Sequence, residues 1–388
     1  MAKQIIYPLT LSMLLTIFSM TLYGQHVHME TDQQEVLRNF WINAKGELYV
    51  TYYSYEKGSR PQYNSETLSK FDTDGQLLWT KNYERGDYGQ YAFFTVDPVT
   101  GEEVIYYSSY RKLKGKERPH PLIFKVGPDG EVVWEKVYKD IDLKQTSVAL
   151  YKKEEQGYTF SLYDQFSKGQ MKGFELKTIN EKGKIIKEDV LKLYLKEGET
   201  YVSSIFTEND SQIAAFEHDE NGQRKRALAK TDGEGNRLWK VDLYSPRKGN
   251  KFLHLLPFKD GVVVHYSESG RSYMHYVNGA GEEEWKYSAP RRIESFESVR
   301  VHENEIHCLV QFQDQIGFVK LSENGAVALR KLYQKPMKFS PSRFFIHDNT
   351  IYVGGYFTKE ASGNYNNDLY FFKTDFDYRF PEEWEKVH

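Results

Sequence analysis

Six times along the chain a glycine closes the same short pattern, Lys-x-Asp-x-x-Gly-x-x-x-Trp-x-Lys-x-Tyr, and no other feature of the sequence restricts the fold so much. The fullest copy is Lys70-Phe71-Asp72-Thr73-Asp74-Gly75-Gln76-Leu77-Leu78-Trp79-Thr80-Lys81-Asn82-Tyr83. A second copy, Lys125 to Tyr138, keeps Gly130, Trp134, Lys136 and Tyr138, and further copies centre on Gly183, Gly235, Gly281 and Gly325. A worn seventh, Lys373-Thr374-Asp375-Phe376-Asp377-Tyr378, carries Tyr378 in the glycine's place. The intervals between these closing residues are 55, 53, 52, 46, 44 and 53. A period of this size marks stacked supersecondary units, and 388 residues exceed what a single core can serve.

Each unit reads as strands. Apolar and polar residues alternate on both sides of the glycine, and a second strand signal lies upstream in every unit: Glu47 to Tyr53, Glu103 to Tyr110, Tyr158 to Tyr163, Gln212 to Phe216, Val262 to Tyr266, Glu305 to Val310, and Thr350 to Tyr356. The turn opens on a short polar residue in most copies (Asp72, Asn180, Asp232, Asn278, Ser322, Asp375) and closes on the glycine, as a type I turn with a left-handed fourth residue does. With one more strand ahead, a unit supplies four. Four strands in some 50 residues cannot bury both their faces alone, so neighbours must stack, and radial stacking leaves only short edges. The expected fold is all-β: a seven-bladed β-propeller of four-stranded antiparallel blades, spanning 26–388 as one domain. Trp79, Trp134, Trp239 and Trp285 then dock one blade on the next, each indole burying roughly 150 to 250 Å².

These copies resemble the tryptophan-docking repeats of the PQQ-like, or quinoprotein-like, propeller superfamily, in the degenerate form found in exported bacterial proteins, and the resemblance spans nearly all of 26–388. It implies a WD40- or YVTN-like ring and is nearly silent on activity, because propellers of this kind include enzymes, assembly factors and binding proteins. The Asp-to-Gly distance is three where that family usually has four, and Lys187 and Leu329 replace the docking tryptophan in two copies. Many of the family's dehydrogenases stack a vicinal disulfide on their quinone. Cys308 is the chain's one cysteine, so no such pair forms and no cofactor is expected.

The first 25 residues differ from the rest. Lys3 precedes an apolar stretch from about Leu9 to Leu22 that ends at Tyr23-Gly24-Gln25, the layout of a signal peptide. Pro8 interrupts its start and the run falls short of the roughly 20 residues a spanning helix needs, which makes a retained anchor the lesser reading. The expectation is export to the periplasm or cell surface, with no membrane span after cleavage and, lacking a nearby cysteine, no lipid attachment. A net charge of −3 offers no field to gather nucleic acid.

Chemistry is sparser. His302-Glu303-Asn304-Glu305-Ile306-His307-Cys308 imitates a zinc helix, but its histidines are five apart, and on a strand that spacing sends them to opposite faces. Cleavage after Gln25 would let His26-Val27-His28 chelate Cu²⁺ or Ni²⁺, although a flexible tail is the expected state of that segment. No metal site and no catalytic residue is assigned. The functional lead is regional: loops leading into blades, and those joining second and third strands, share the face where propellers bind ligands. Here they are basic, with Arg247 after Pro246, Arg291 and Arg292 after Pro290, Arg343 after Pro341, and Arg111 in a lysine-rich middle loop. Converging guanidinium groups suit a carboxylate, sulfate or phosphate, and Tyr88, Tyr91 and Phe344 could stack on a sugar. The expectation is a non-catalytic binding or scaffold propeller for an anionic glycan, peptide or envelope protein. The alternative is a polysaccharide lyase or hydrolase, which His, Tyr, Arg and carboxylates converging at the channel mouth would favour.

Overall fold

The structure is a computed structural model. It describes residues 26–29, 34–55, 65–84, 93–96, 104–108, 120, 122–138, 146–154, 157–164, 174–191, 198–207, 211–244, 253–268, 271–290, 295–334, 339–361, 364–380 and 386–387. The expected signal peptide lies outside them.

The chain begins with β1 (His26–Met29), followed by a first sheet of β2 (Gln34–Ile42), β3 (Leu48–Tyr55), β4 (Ser65–Phe71) and β5 (Leu77–Glu84). A second comprises β6 (Phe93–Val96), β7 (Val104–Ser108), β8 (Leu122–Val126) and β9 (Val132–Val137). The third holds β10 (Thr146–Glu154), β11 (Gly157–Asp164), β12 (Phe174–Asn180) and β13 (Ile185–Leu191). Next come β14 (Thr200–Phe206), β15 (Gln212–Glu220), β16 (Gln223–Thr231) and β17 (Arg237–Tyr244). They are followed by β18 (Leu253–Phe258), β19 (Gly261–Glu268), β20 (Arg271–Val277) and β21 (Glu283–Ser288). The next sheet has β22 (Ser295–His302), β23 (Glu305–Phe312), β24 (Gln315–Leu321) and β25 (Val327–Gln334). Last are β26 (Phe339–His347), β27 (Thr350–Ala361), β28 (Asn364–Thr374) and a two-residue β29 (Lys386–Val387). All pairings are antiparallel, and the upstream signal of each repeat falls on the second strand of its sheet. The chain is an all-β propeller of four-stranded antiparallel blades.

The expectation of seven alike four-stranded blades needs correction. Among the described residues six sheets have four strands, while the sheet at β22–β25 gains β29 against its outer strand, with Leu332 opposite Val387. The last sheet is also not drawn from one repeat. Its order is β1-β28-β27-β26, so His26–Met29 forms its outer strand, with His26 opposite Phe372 and Met29 opposite Leu369. The segment expected to be a flexible tail is thus a paired strand, because β28 has no downstream strand of its own to cover its edge.

The turn works as its chemistry requires. Gly75 N donates to Asp72 O at 3.0 Å, and Asp72 Oδ1 accepts from Asp74 N at 3.0 Å and Gln76 N at 2.7 Å. Gly75 has φ 82°, and the register slips by one residue beside it, between Lys70 and Phe71. That slip recurs at the same place in the β8–β9, β12–β13, β16–β17, β20–β21 and β24–β25 hairpins, where the extra residue (Leu78 in the first sheet, then Val133, Ile186, Leu238, Glu284 and Ala328) sits just ahead of the position Trp79 holds.

Four of the six glycines also make room for an indole. A β-carbon on Gly130 would lie 3.0 Å from Trp79, on Gly183 2.8 Å from Trp134, on Gly281 2.8 Å from Trp239 and on Gly325 2.6 Å from Trp285. The tryptophan of one sheet thus lies on the turn of the next. Three of them also donate Nε1 to a carbonyl of that turn: Trp79 to Pro128 O at 2.9 Å, Trp239 to Gly279 O at 2.9 Å and Trp285 to Glu323 O at 3.1 Å. The motif's tyrosine is a second clamp, since Tyr83 Oη donates to Gly130 O and Tyr138 Oη to Gly183 O, both at 2.8 Å.

Where the motif is worn, both halves of the seam change together. Leu329 stands for the tryptophan and Tyr378 for the glycine, and both belong to one apolar cluster. Tyr378 keeps the left-handed φ (53°), is fully buried, and stacks on Phe318 with centroids 4.6 Å apart. Tyr333 Oη still donates to Tyr378 O, at 2.7 Å. The last sheet meets the first through other contacts: Lys373 Nζ donates to Thr73 O in the turn of the first sheet, and Phe40 meets Phe371 edge to face at 5.3 Å.

Candidate site on the innermost strands

The first strands of successive sheets touch one another: β6 meets β2, β2 meets β26, β26 meets β22, β22 meets β18 and β18 meets β14. They therefore surround a common centre. On four of them a basic residue interrupts an apolar strand: Arg38, His254, Arg300 and Arg343. Arg38, His254 and Arg343 each stand four residues ahead of their strand's last residue (Ile42, Phe258 and His347), and Arg300 stands two ahead of His302. Strands arranged about one centre bring these positions to nearly one level.

Bulges aim two of them. The β2–β3 register skips between Leu37 and Asn39, leaving Arg38 as the extra residue, and the β26–β27 register skips between Pro341 and Arg343. A bulge bends its strand and redirects the side chains beside it.

The charges feel one another. Burial, and after it the positive charge of Arg343, press the Arg300 guanidinium below its usual value. Arg343 keeps an exposed surface, and the partial desolvation around it presses its guanidinium down, with Tyr356 opposing the effect and Arg38 adding to it. His254 is lowered by burial and then by Arg300 and Arg343, which favours the neutral imidazole. Behind it, His265 is buried among rings, 5.9 Å from His254 and 5.8 Å from Phe296, and burial pushes it down to about 3.

No carboxylate answers the arginines: among the described residues none forms an ion pair with Arg38, Arg300 or Arg343. Arg343 Nη1 donates to Asn39 Oδ1 at 3.0 Å and Arg300 Nη1 to Val299 O at 3.0 Å. Arg38 lies over Tyr53, 4.6 Å from the ring centroid, and its buried Nε has no acceptor. Guanidinium groups that meet no carboxylate can hold an anion.

Of the expected ligand residues, the structure places Arg343 in this cluster, on a strand and not in a loop. Pro341 suggested a loop, yet β26 is an edge strand with a bulge, where proline is admitted. Arg111, Arg247, Arg291, Arg292, Tyr88 and Tyr91 lie outside the described residues. Phe344 cannot stack on a ligand: it is fully buried, edge-on to Phe318 at 5.2 Å. Arg38, His254 and Arg300 went unread, and their one signal is a basic residue inside an apolar first strand, as in Val299-Arg300-Val301.

The zinc-like string is a hairpin. Glu303 and Asn304 turn with φ 48° and 61°, folding His302 and His307 onto one side with rings 6.1 Å apart, in contrast to the opposite faces expected of a single strand. His307 Nδ1 pairs with Tyr378 Oη at 2.7 Å, and no group of three metal-ligating side chains occurs among the described residues. Cys308 is fully buried in the core.

No family model and no curated protein matches the chain. Solved structures similar to it include prolyl oligopeptidase B from Galerina marginata (TM-score 0.49, 9% identity, 92% of this chain and 51% of that one). Others are the Dos1 propeller (0.48, 8%, 87% and 78%) and an uncharacterized protein of Listeria monocytogenes (0.44, 9%, 84% and 90%). At such identities no activity carries over.

Proposed function

We propose that this chain is an exported, non-catalytic binding propeller of the periplasm or cell surface, which engages an anionic glycan, peptide or partner protein at the centre of its ring. The observation that carries the reading is the trio Arg38, Arg300 and Arg343, none paired with a carboxylate among the described residues. Unpaired guanidinium groups held together oppose folding, and a bound anion relieves that cost. The seven sheets and their tryptophan-on-glycine seams support a seven-membered ring related to the quinoprotein-like repeats. Export rests on the first 25 residues alone.

A thermal-shift series against anionic and neutral saccharides and peptides tests the reading. An anion at about 100 times its dissociation constant stabilises by roughly 2.7 kcal/mol. The reading fails if no anion moves the midpoint, or if Arg343→Ala leaves the shift unchanged.

A further inference from the structure

Resting on that reading, we infer that the group held at the centre is a tetrahedral oxyanion with three terminal oxygens, a sulfate or phosphate ester, and not a carboxylate or a neutral hydroxyl. Three features carry the inference. The first is the inventory of the cluster. Arg38, Arg300 and Arg343 offer donors only, and the Oδ1 of Asn39 is already taken by Arg343. A sugar hydroxyl must donate as well as accept, whereas an ionised oxyanion only accepts.

The second feature is direction. The guanidinium groups are carried by three different innermost strands, β2, β22 and β26, and so approach from different directions. A planar carboxylate has two oxygens on one edge and satisfies one fork. A tetrahedral ester has three terminal oxygens pointing apart, one for each approach.

The third feature is charge. Three guanidinium groups remain ionised at any physiological pH, so a bound anion relieves the repulsion among them, which a neutral hydroxyl does not. His254, the fourth member, gains a reason to take a proton once an anion sits beside it.

Isothermal titration calorimetry of the full chain, at fixed ionic strength, decides the matter with inorganic sulfate, inorganic phosphate, acetate, a neutral disaccharide, heparin and polygalacturonate. Sulfate or phosphate should bind at least about 10-fold more tightly than acetate, and Arg343→Gln should weaken them by about 10-fold. Arg300→Lys, which keeps the charge and loses the fork, should fall between. Arg343 is solvent-exposed, so its variant serves even if changes at Arg300 prevent folding. Heparin that is tighter than sulfate, per sulfate group, points to a polymer-borne ester, and equal affinities point to the free ion; both uphold the class. Acetate equal to sulfate, or polygalacturonate equal to heparin, overturns the class and leaves anion binding intact. If no anion binds at all, the binding reading falls with it.

Discussion

The indole of Trp285 lies so close over Gly325 that a β-carbon there would fall 2.6 Å from Cδ2. Gly325 has φ 78°, so it serves the turn and the seam at once. Gly325→Ala should cost roughly 2 to 4 kcal/mol, summing backbone strain and overpacking. Gly222→Ala is the control, since Gly222 has φ 74° but nothing within 4 Å of its would-be β-carbon. Denaturant titrations that found equal losses would refute a seam role for the glycine.

Tyr378 inverts this logic. Restoring the repeat's usual glycine relieves a left-handed tyrosine, worth about 1 to 2 kcal/mol, but removes a fully buried ring, worth about 3 to 5. Tyr378→Gly should therefore destabilise by about 2 kcal/mol, and combining it with Leu329→Trp should recover part of the loss. A double-mutant cycle reads the coupling, and strict additivity would show that the two positions are independent.

Acid should loosen the fold before carboxylates titrate. Burial lowers His265 to about 3 and His307 to about 4, against 6.5 in the unfolded chain. Between pH 6.5 and these values the unfolded state binds more protons, so the stabilisation is full above 6.5 and is lost as pH falls. His307→Asn, which can keep a partner for Tyr378 Oη, should flatten the fall in unfolding free energy between pH 6.5 and 4 by on the order of 2 kcal/mol. An unchanged slope would mean that His307 does not titrate on unfolding.

Ring closure leans on β1. Met29 is 1% exposed and packs with Leu37, Phe40 and Leu369, in a cluster shared by the first and last sheets. Met29→Ala should cost about 2 to 4 kcal/mol, and deleting 26–29 should broaden the unfolding transition measured by tryptophan fluorescence. Wild-type cooperativity after the deletion would show that the strand is dispensable.

The turns were legible because their cause is local: an acceptor side chain, a left-handed residue and an indole at fixed spacing, all written into about fourteen neighbouring positions. Closure was not legible, since nothing near His26 in sequence announces Phe372 as its partner. The central arginines were hidden for the same reason. Each belongs to a different sheet, and only the ring brings them level. Pro341 misdirected the reading of Arg343, because a missing N–H costs a central strand a hydrogen bond but costs an inner edge strand nothing.

Because β1 completes the sheet of β26, β27 and β28, that pairing must wait until β28 has been made, long after β1. Until it forms, β28 presents an uncovered edge that fits His26–Met29 from any copy of the chain. Concentrated refolding should therefore yield dimers that have traded their first strands, each ring completed by the other.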